Sequence, residues 1–307
     1  MSATAPGAKK AEPSPAPVVP AEPPGTSVPP ALFSRFQRLI LQEAGIWLGD
    51  SKSALLCGRL SRRLRALGIA SLGQYYDLVV QPENQEERAL MVDAITTNET
   101  RFFRDPRHFE FLEQRVIPRW RAEAQQGRRR KTIRLWSAGC SSGEEPYSLA
   151  MLLARHLPVE QGWNVTIFAT DISTRMLAQA RAGVYSVTKS TDIPEPLLRD
   201  HMLKGIEQQA GQMKVMPEIR AMVDFQSLNL ARGPYPPDSH FDAIFCRNVL
   251  IYFDARTKQG AVEHLLRCLA RAGLLFVGQA ENLSGTNPHL RSLVPAVYAR
   301  AGEHSGF

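Results

Sequence analysis

The sequence predicts an α/β protein in two parts, a small all-helical domain followed by a larger domain in which helices cover a parallel sheet. Three observations predict it. Between Ala31 and Thr96 apolar residues recur at helical spacing. From about Arg134 short β-rich runs alternate with helical patterns, as they do in successive βαβ units. Between Gly183 and Met222 that rhythm breaks, which marks a small hairpin-like insertion.

Each element follows from its residues. Residues 1–30 are rich in Pro, Ala, Ser and Gly and hold no aromatic side chain, so a disordered, partly polyproline-II tail is expected. Phe33, Phe36, Leu39 and Ile40 predict a first helix; Leu55, Leu56, Leu60, Leu64 and Leu67 predict a second, closed by Gly68. Leu72–Val80 and Glu86–Ile95 complete a helical domain over residues 31–96. A linker and helix over residues 97–132 lead into the sheet domain, residues 133–307. There Ile133–Ser137, Val165–Thr170, Val223–Phe225, Phe241–Cys246 and Leu274–Gly278 read as strands. Glu145–His156, Thr174–Arg181 and Arg256–Ala270 read as the helices between them. In the insertion, at about residues 183–222, Gly205 and Gly211 bracket a loop, and Met213-Lys214-Val215 reads as a strand with backbone groups to offer a partner.

Composition narrows the function. At 307 residues, 44% hydrophobic and 22% charged, the chain can hold a core without staples. Cys57, Cys140, Cys246 and Cys268 stand far apart with no CxxC pair, which argues against a structural metal or disulfides and suits a reducing cytosol. No apolar run approaches the roughly 20 residues of a membrane span, so no membrane insertion and a cytoplasmic location are expected. The net charge of +7 implies an acidic partner.

The chemistry is carried by Leu135-Trp136-Ser137-Ala138-Gly139-Cys140-Ser141-Ser142-Gly143-Glu144-Glu145-Pro146-Tyr147, a strand, a glycine-containing turn and a helix start. Gly139 and Gly143 allow close approach of a ligand to backbone. A pyrophosphate would want bare amides at such a helix start. Glu144 and Glu145 stand there instead, which would repel an anion and favour a cationic ammonium or sulfonium. Phe168-Ala169-Thr170-Asp171 ends the second strand on an acid, the residue that accepts ribose hydroxyls in nucleoside-binding α/β folds. Ribose and a cation without phosphate point to S-adenosylmethionine. A glycine-rich turn with a capping acid explains the loop alone equally well; Asp171 shifts the balance.

Two further stretches are distinctive. Thr96-Thr97-Asn98-Glu99-Thr100-Arg101-Phe102-Phe103-Arg104-Asp105-Pro106-Arg107-His108-Phe109 lies between the domains, and Phe241-Asp242-Ala243-Ile244-Phe245-Cys246-Arg247-Asn248-Val249-Leu250-Ile251-Tyr252-Phe253 is a buried strand ending on polar groups. With the glycine loop, they closely resemble the CheR-type chemotaxis receptor methyltransferases, in order and spacing, from about Ala31 to Arg300. The resemblance implies a Rossmann-like S-adenosylmethionine-dependent methyltransferase domain with a small β-subdomain, behind an all-helical domain. It implies cofactor contacts at Asn98, Thr100, Arg104, Glu144, Asp171, Asn229, Leu230, Arg247 and Asn248, and a methyl-transfer site at Arg104 and Tyr252. It also implies a partner, the acidic helical cytoplasmic region of a methyl-accepting chemotaxis receptor; in some members the β-subdomain holds the receptor's C-terminal tail, so it is here either such a tether or a subdomain that only closes over the active site. Arg59, Arg62, Arg63 and Arg65 lie beside the leucine stripe of the second helix and read as a basic rail for that receptor. The Arg128-Arg129-Arg130-Lys131 run reads as a solvated linker.

A glutamate carboxylate, with an ordinary pKa of about 4.3, is already nucleophilic at neutral pH. It would take the methyl group to give a glutamyl methyl ester and S-adenosylhomocysteine, with Arg104 aiming it. Blander readings stand beside these: Asn98 and Thr100 as caps of a helix near Phe102, Arg104 as a linker salt bridge, Tyr252 as core, His108 as packing. Two rival functions are methylation of RNA or a small molecule, and a catalytically silent S-adenosylmethionine-binding signalling module. Arg247-Asn248-Val249 lacks the Asn-Pro-Pro-Tyr ending frequent in base methylation, so no nucleic-acid partner is expected.

Overall fold

The computed structural model describes residues 28–236, 240–285 and 287–302. The tail expected over residues 1–30 lies, up to residue 27, outside the described residues. Helices α1 (Pro30–Ala44), α2 (Ser53–Leu67), α3 (Leu72–Val79) and α4 (Gln85–Ile95) form the first domain. Their apolar stripes meet in one core around Phe36, Ile40, Leu56, Leu60, Tyr75 and Met91, all fully buried. Gly68 ends α2 at a left-handed φ of 66°. Gly45 does the same after α1 at φ 70°, and a Cβ there would lie 2.3 Å from that of Ala231. Its missing side chain therefore lets the helical domain close onto the sheet domain.

The linker helix is a rod of three pieces: α5 (Pro106–Phe111), a π-helical turn (Leu112–Val116) and α6 (Ile117–Gln125). The wider turn falls just before Pro118, whose ring regular α geometry would drive into a preceding carbonyl. Asn98 and Thr100 cap nothing, because α5 begins at Pro106 behind Asp105.

The sheet domain runs β1 (Thr132–Ala138), α7 (Glu144–His156), β2 (Asn164–Asp171) and α8 (Thr174–Ala182). The insertion follows: β3 (Val184–Ser186), α9 (Glu195–His201), β4 (Met202–Lys204), β5 (Gln212–Val215) and α10 (Pro217–Ala221). The chain returns through β6 (Val223–Ser227), β7 (Phe241–Cys246), α11 (Ala255–Cys268), β8 (Leu269–Val277), β9 (Leu290–Val294) and β10 (Val297–Arg300). The helix expected to reach Ala270 stops at Cys268, and β8 starts at once. The seven strands of the main sheet are ordered β6-β2-β1-β7-β8-β10-β9, parallel except for β10, which runs antiparallel to both neighbours. One sheet face packs on the linker rod and α7 through Phe109, Leu112, Trp120 and Leu153, the other on α11 through Leu265 and Leu266. Because β2 and β7 flank β1, the order reverses beside β1, and a crevice must open there at the strands' carboxyl ends.

The insertion corrects one expectation. Its sheet is ordered β3-β5-β4, so Met213-Lys214-Val215 is the middle strand, paired on both sides. The free edges belong to β3 and β4 instead. A proline at Lys214 would therefore open the subdomain's own sheet rather than block a docked peptide.

Candidate functional site

The loops after β1, β2, β6 and β7 converge on one cleft, closed on its far side by the segment joining the two domains. Asn98, Thr100, Arg104, Asp171, Asn229, Leu230, Arg247, Asn248 and Tyr252 all line it, though the sequence scatters them over 155 positions from Asn98 to Tyr252. Empty space within it, open mouth included, is about 910 Å³.

The glycine loop is pinned at each turn. Gly139 has φ 85°, and a Cβ on it would lie 2.4 Å from Val249. The next turn residue, Ser141, donates its amide to Asp171 Oδ2 at 2.7 Å and its hydroxyl to the Asn98 carbonyl at 2.9 Å. Asp171 also accepts from the Ser173 amide at 2.9 Å. Burial pushes the Asp171 carboxyl upward, and the amides of Ser173 and Ser141 oppose that shift by bonding the charged form. It remains in the cleft wall where a hydroxyl pair can reach it.

Glu144 does not line the cleft, and its expected contact is corrected to Glu145. Successive helical residues point about 100° apart, so the pair at the start of α7 cannot face one way. Glu144 is fully buried on the insertion side, accepting from the Ser142 hydroxyl at 2.6 Å and pairing with Lys189. Glu145 faces the cleft and accepts from Ser137 at 2.7 Å and Arg247 at 3.0 Å.

Arg247 is the hub of a buried network, its side chain only 2% exposed. Besides Glu145 it holds Asp105 at 2.6 Å and the Arg104 carbonyl at 2.5 Å. Burial raises the Asp105 carboxyl, but the Arg247 bond and charge outweigh it and leave it below the usual range. Arg104 itself forms no salt bridge among the described residues; Nη1 donates to the Glu99 carbonyl at 2.9 Å. A guanidinium has five donors, so others remain for a carboxylate in the cleft. Phe103 and Asp105, on either side of it, have φ of 48° and 57°; Ser141 and Asn248 share that rare conformation at 49° and 59°. Backbone held in this region by non-glycine residues concentrates at functional sites.

Several residues act differently from their expected roles. Asn229 lines the cleft, but its side chain donates to the Glu43 carbonyl at 2.7 Å and accepts from Ala231 at 2.9 Å, tying the two domains together. Arg59 bonds the Ile95 carbonyl and the Thr97 hydroxyl, and Arg63 grips Glu87 at 2.9 and 2.5 Å. Both therefore brace the helical domain, and only Arg62 and Arg65 of the expected rail are exposed. Arg129, read as part of a solvated run, joins Glu123 at 2.9 Å and Asp242 at 2.6 Å. Glu281, which sequence reasoning missed, is 1% exposed and accepts the amides of Asn248 at 2.8 Å, Ile251 at 3.2 Å and Gly278 at 2.5 Å. It shapes the turn carrying Asn248 and Tyr252, and no local pattern announces it.

The thiols of Cys57, Cys140, Cys246 and Cys268 are all raised by burial, which keeps them protonated and unreactive. His108 is a packing residue, 1% exposed and edge-on to Phe276. Burial first, then the Arg247 charge, lowers its pKa to about 4. The folded state thus refuses a proton that the unfolded chain takes below about pH 6.5. Stability from this group is full above that pH and is lost as pH falls toward 4. Denaturant midpoints at pH 7 and pH 5 should differ less for His108→Phe than for the wild type; equal differences would remove His108 from the pH dependence.

The wall fits S-adenosylmethionine. Asp171 ends β2 where ribose hydroxyls are recognised in this class of fold. Asn248 Oδ1 is a buried acceptor in the wall with no hydrogen-bond partner among the described residues, which a ligand amine or hydroxyl would satisfy. Glu99 and Asp171 set carboxylates in the lining beside Arg104 and Arg247, a mixed wall that suits a ligand carrying both a cation and a carboxylate. A cleft so lined, at the switch point of a parallel sheet, defines a Rossmann-like methyltransferase that uses S-adenosylmethionine. The particular kind follows from comparison with known proteins. The chain belongs to the CheR methyltransferase family: the model for its S-adenosylmethionine-binding domain matches residues 98–298, and that for its all-alpha domain matches residues 31–96. A chemotaxis protein methyltransferase of Salmonella typhimurium is 40% identical, covering 83% of this chain and 84% of its own. One from Escherichia coli is 39% identical over 88% of this chain and 90% of its own, and one from Pseudomonas aeruginosa 36% over 88% and 92%. A solved S-adenosylmethionine-dependent methyltransferase from Methanosarcina mazei is 16% identical over 50% of this chain and 55% of its own, with a TM-score of 0.29, too distant to add to the argument.

Proposed function

We propose that this protein transfers the methyl group of S-adenosylmethionine to glutamate side chains of a chemoreceptor's cytoplasmic region. Glutamyl methyl esters and S-adenosylhomocysteine are the products. The observation that carries this reading is the company Arg104 and Tyr252 keep: they share the cleft with the cofactor-side residues, and its described lining holds no histidine, cysteine or lysine. An acceptor that needed deprotonation would find no histidine or lysine base, and Asp171 and Glu145 are already held by Ser141, Ser173, Ser137 and Arg247, whereas a carboxylate acceptor needs no base. S-adenosylmethionine, when bound, supplies an electrophilic methyl group; the carboxylate oxygen takes it, the carbon–sulfur electron pair stays with sulfur, and no proton moves. Arg104 orients the incoming carboxylate through one or two hydrogen bonds, because a tighter grip would stabilise the ground state. No helix among the described residues is long and apolar enough to cross a membrane, which suits work on the cytoplasmic side of a receptor.

Incubation with methyl-labelled S-adenosylmethionine and receptor-bearing membranes tests the reading. Base-labile label on a receptor-sized band is expected; base-stable label, or label on nucleic acid, would overturn it. On the cofactor side, Asp171→Ala should weaken S-adenosylhomocysteine binding by about 1–3 kcal/mol, because the ribose loses an ionic acceptor and Ser141 its anchor. Calorimetry returning wild-type affinity would exclude Asp171 from the site. The docking surface, in this reading, is the exposed part of α2. Reversing Arg62 and Arg65 to Glu should raise KM for receptor and flatten its salt dependence while cofactor affinity holds. A salt dependence identical to wild type would remove α2 from docking.

A further inference from the structure

Three groups outside the cleft converge on the loop that forms its floor. Glu144 is a carboxylate with no exposed surface, and its charge is met by Lys189, whose side chain is 34% exposed on the insertion between β3 and α9. An ion pair so buried is kept only with excellent geometry and further hydrogen bonds. Glu144 has one from the Ser142 hydroxyl at 2.6 Å. Tyr185, at the centre of β3, donates its phenol to the Ser142 carbonyl at 2.7 Å. Burial pushes that phenol far above its ordinary pKa, so it remains a donor. Ser142 is thus held at its carbonyl by Tyr185 of the insertion and at its hydroxyl by Glu144 of α7, which the insertion's Lys189 pairs.

What Ser142 feels, the cleft feels one residue away. Ser141 supplies the amide to Asp171 and the hydroxyl to the Asn98 carbonyl, and all three residues line the cleft. Tyr185 has a second contact: its ring packs edge-on against Phe102 with centroids 5.0 Å apart, two residues before Arg104. The neighbouring Phe103 amide is fixed by the Ser148 hydroxyl of α7 at 3.0 Å.

We infer that Tyr185 and Lys189, acting through Glu144 and Ser142, are positioning residues for the cofactor site, so that the three-stranded insertion is part of the frame that sets S-adenosylmethionine affinity. None of them touches the cofactor. Their effect runs through the Ser141 amide and the Asp171 carboxylate it orients. The inference concerns cofactor binding alone and stands whether or not the acceptor is a receptor glutamate.

The test is calorimetric binding of S-adenosylhomocysteine to the full chain, with thermal unfolding recorded for every variant. Lys189→Met should weaken binding about tenfold, while Lys189→Arg, which restores the charge beside Glu144, should stay within about twofold of wild type. Tyr185→Phe keeps the ring against Phe102 but removes the bond to Ser142, and should weaken binding several-fold. Combined, Tyr185→Phe and Lys189→Met should lose less than the product of the single effects, since both act through one loop. Leu265→Ala, in the core on the other sheet face, lowers stability without touching this path and should leave affinity unchanged. If Lys189→Met fails to fold, Tyr185→Phe decides. Folded variants with wild-type affinity would overturn the inference, as would an affinity loss that Leu265→Ala reproduces at equal loss of stability.

Discussion

Arg247→Met is expected to destabilise the folded protein by about 3–5 kcal/mol, the usual result of breaking a buried ion pair from one side. The guanidinium faces Glu145, Asp105 and the Arg104 carbonyl, and its side chain is 2% exposed. Methionine replaces its aliphatic stem but leaves the two carboxylates uncompensated. Glu145 suffers most, because burial already raises its carboxyl against the pull of Arg247 and Ser137. For a chain of this size the thermal midpoint should fall by roughly 5–9 °C. The deficit should shrink in acid, where the abandoned carboxylates take up protons, and adding Glu145→Gln should restore part of it. A midpoint within about two degrees of wild type would mean the network contributes nothing net. Because Arg247 also fixes the Arg104 carbonyl, turnover should fall further than the unfolded fraction explains.

Arg104→Ala is expected to cost turnover rather than stability. The backbone around Arg104 is held without its side chain: Ser148 bonds the Phe103 amide, Arg247 bonds the Arg104 carbonyl, and the residues on both sides sit at positive φ. Truncation leaves that frame standing and removes only the group proposed to aim the acceptor. Misplaced acceptors lose about a hundredfold in rate, and a loss of this order is expected in single-turnover methyl transfer. S-adenosylhomocysteine affinity should drop less than tenfold and the thermal midpoint should hold. Arg104→Lys keeps the charge without the planar fork and should fall between. Tyr252→Phe should have a smaller effect than Arg104→Ala. Wild-type turnover in Arg104→Ala would end the aiming role.

The helical domain was legible because its signals are local. Leu56 and Leu60 are core at the spacing the pattern demands, and Gly68 takes the left-handed turn expected of it. Strands β1, β2 and β7 were legible for a related reason: buried parallel strands are continuous apolar runs, and the motifs lie at their ends. Strand β9 was not, because its half-exposed residues form no such run, and neither was β10, whose buried run is only Val297-Tyr298-Ala299. Edge and centre of the insertion were confused because the pattern of Met213–Val215 says which side chains are buried, and nothing about which strands flank it.

By itself the sequence determined the order of domains, the cofactor chemistry of the glycine loop and Asp171, and most residues that meet in the cleft. Those properties rest on short-range patterns or on residue types at the ends of strands. Only the tertiary structure decided which of two adjacent glutamates faces the cleft, since one peptide bond in a helix turns a side chain by about 100°. It alone decided that Arg59, Arg63 and Arg129 are internal braces, because a long side chain's partner comes from another element. Glu281 and the path from Lys189 to Asp171 likewise exist only after folding, when residues distant in the chain come within hydrogen-bonding reach.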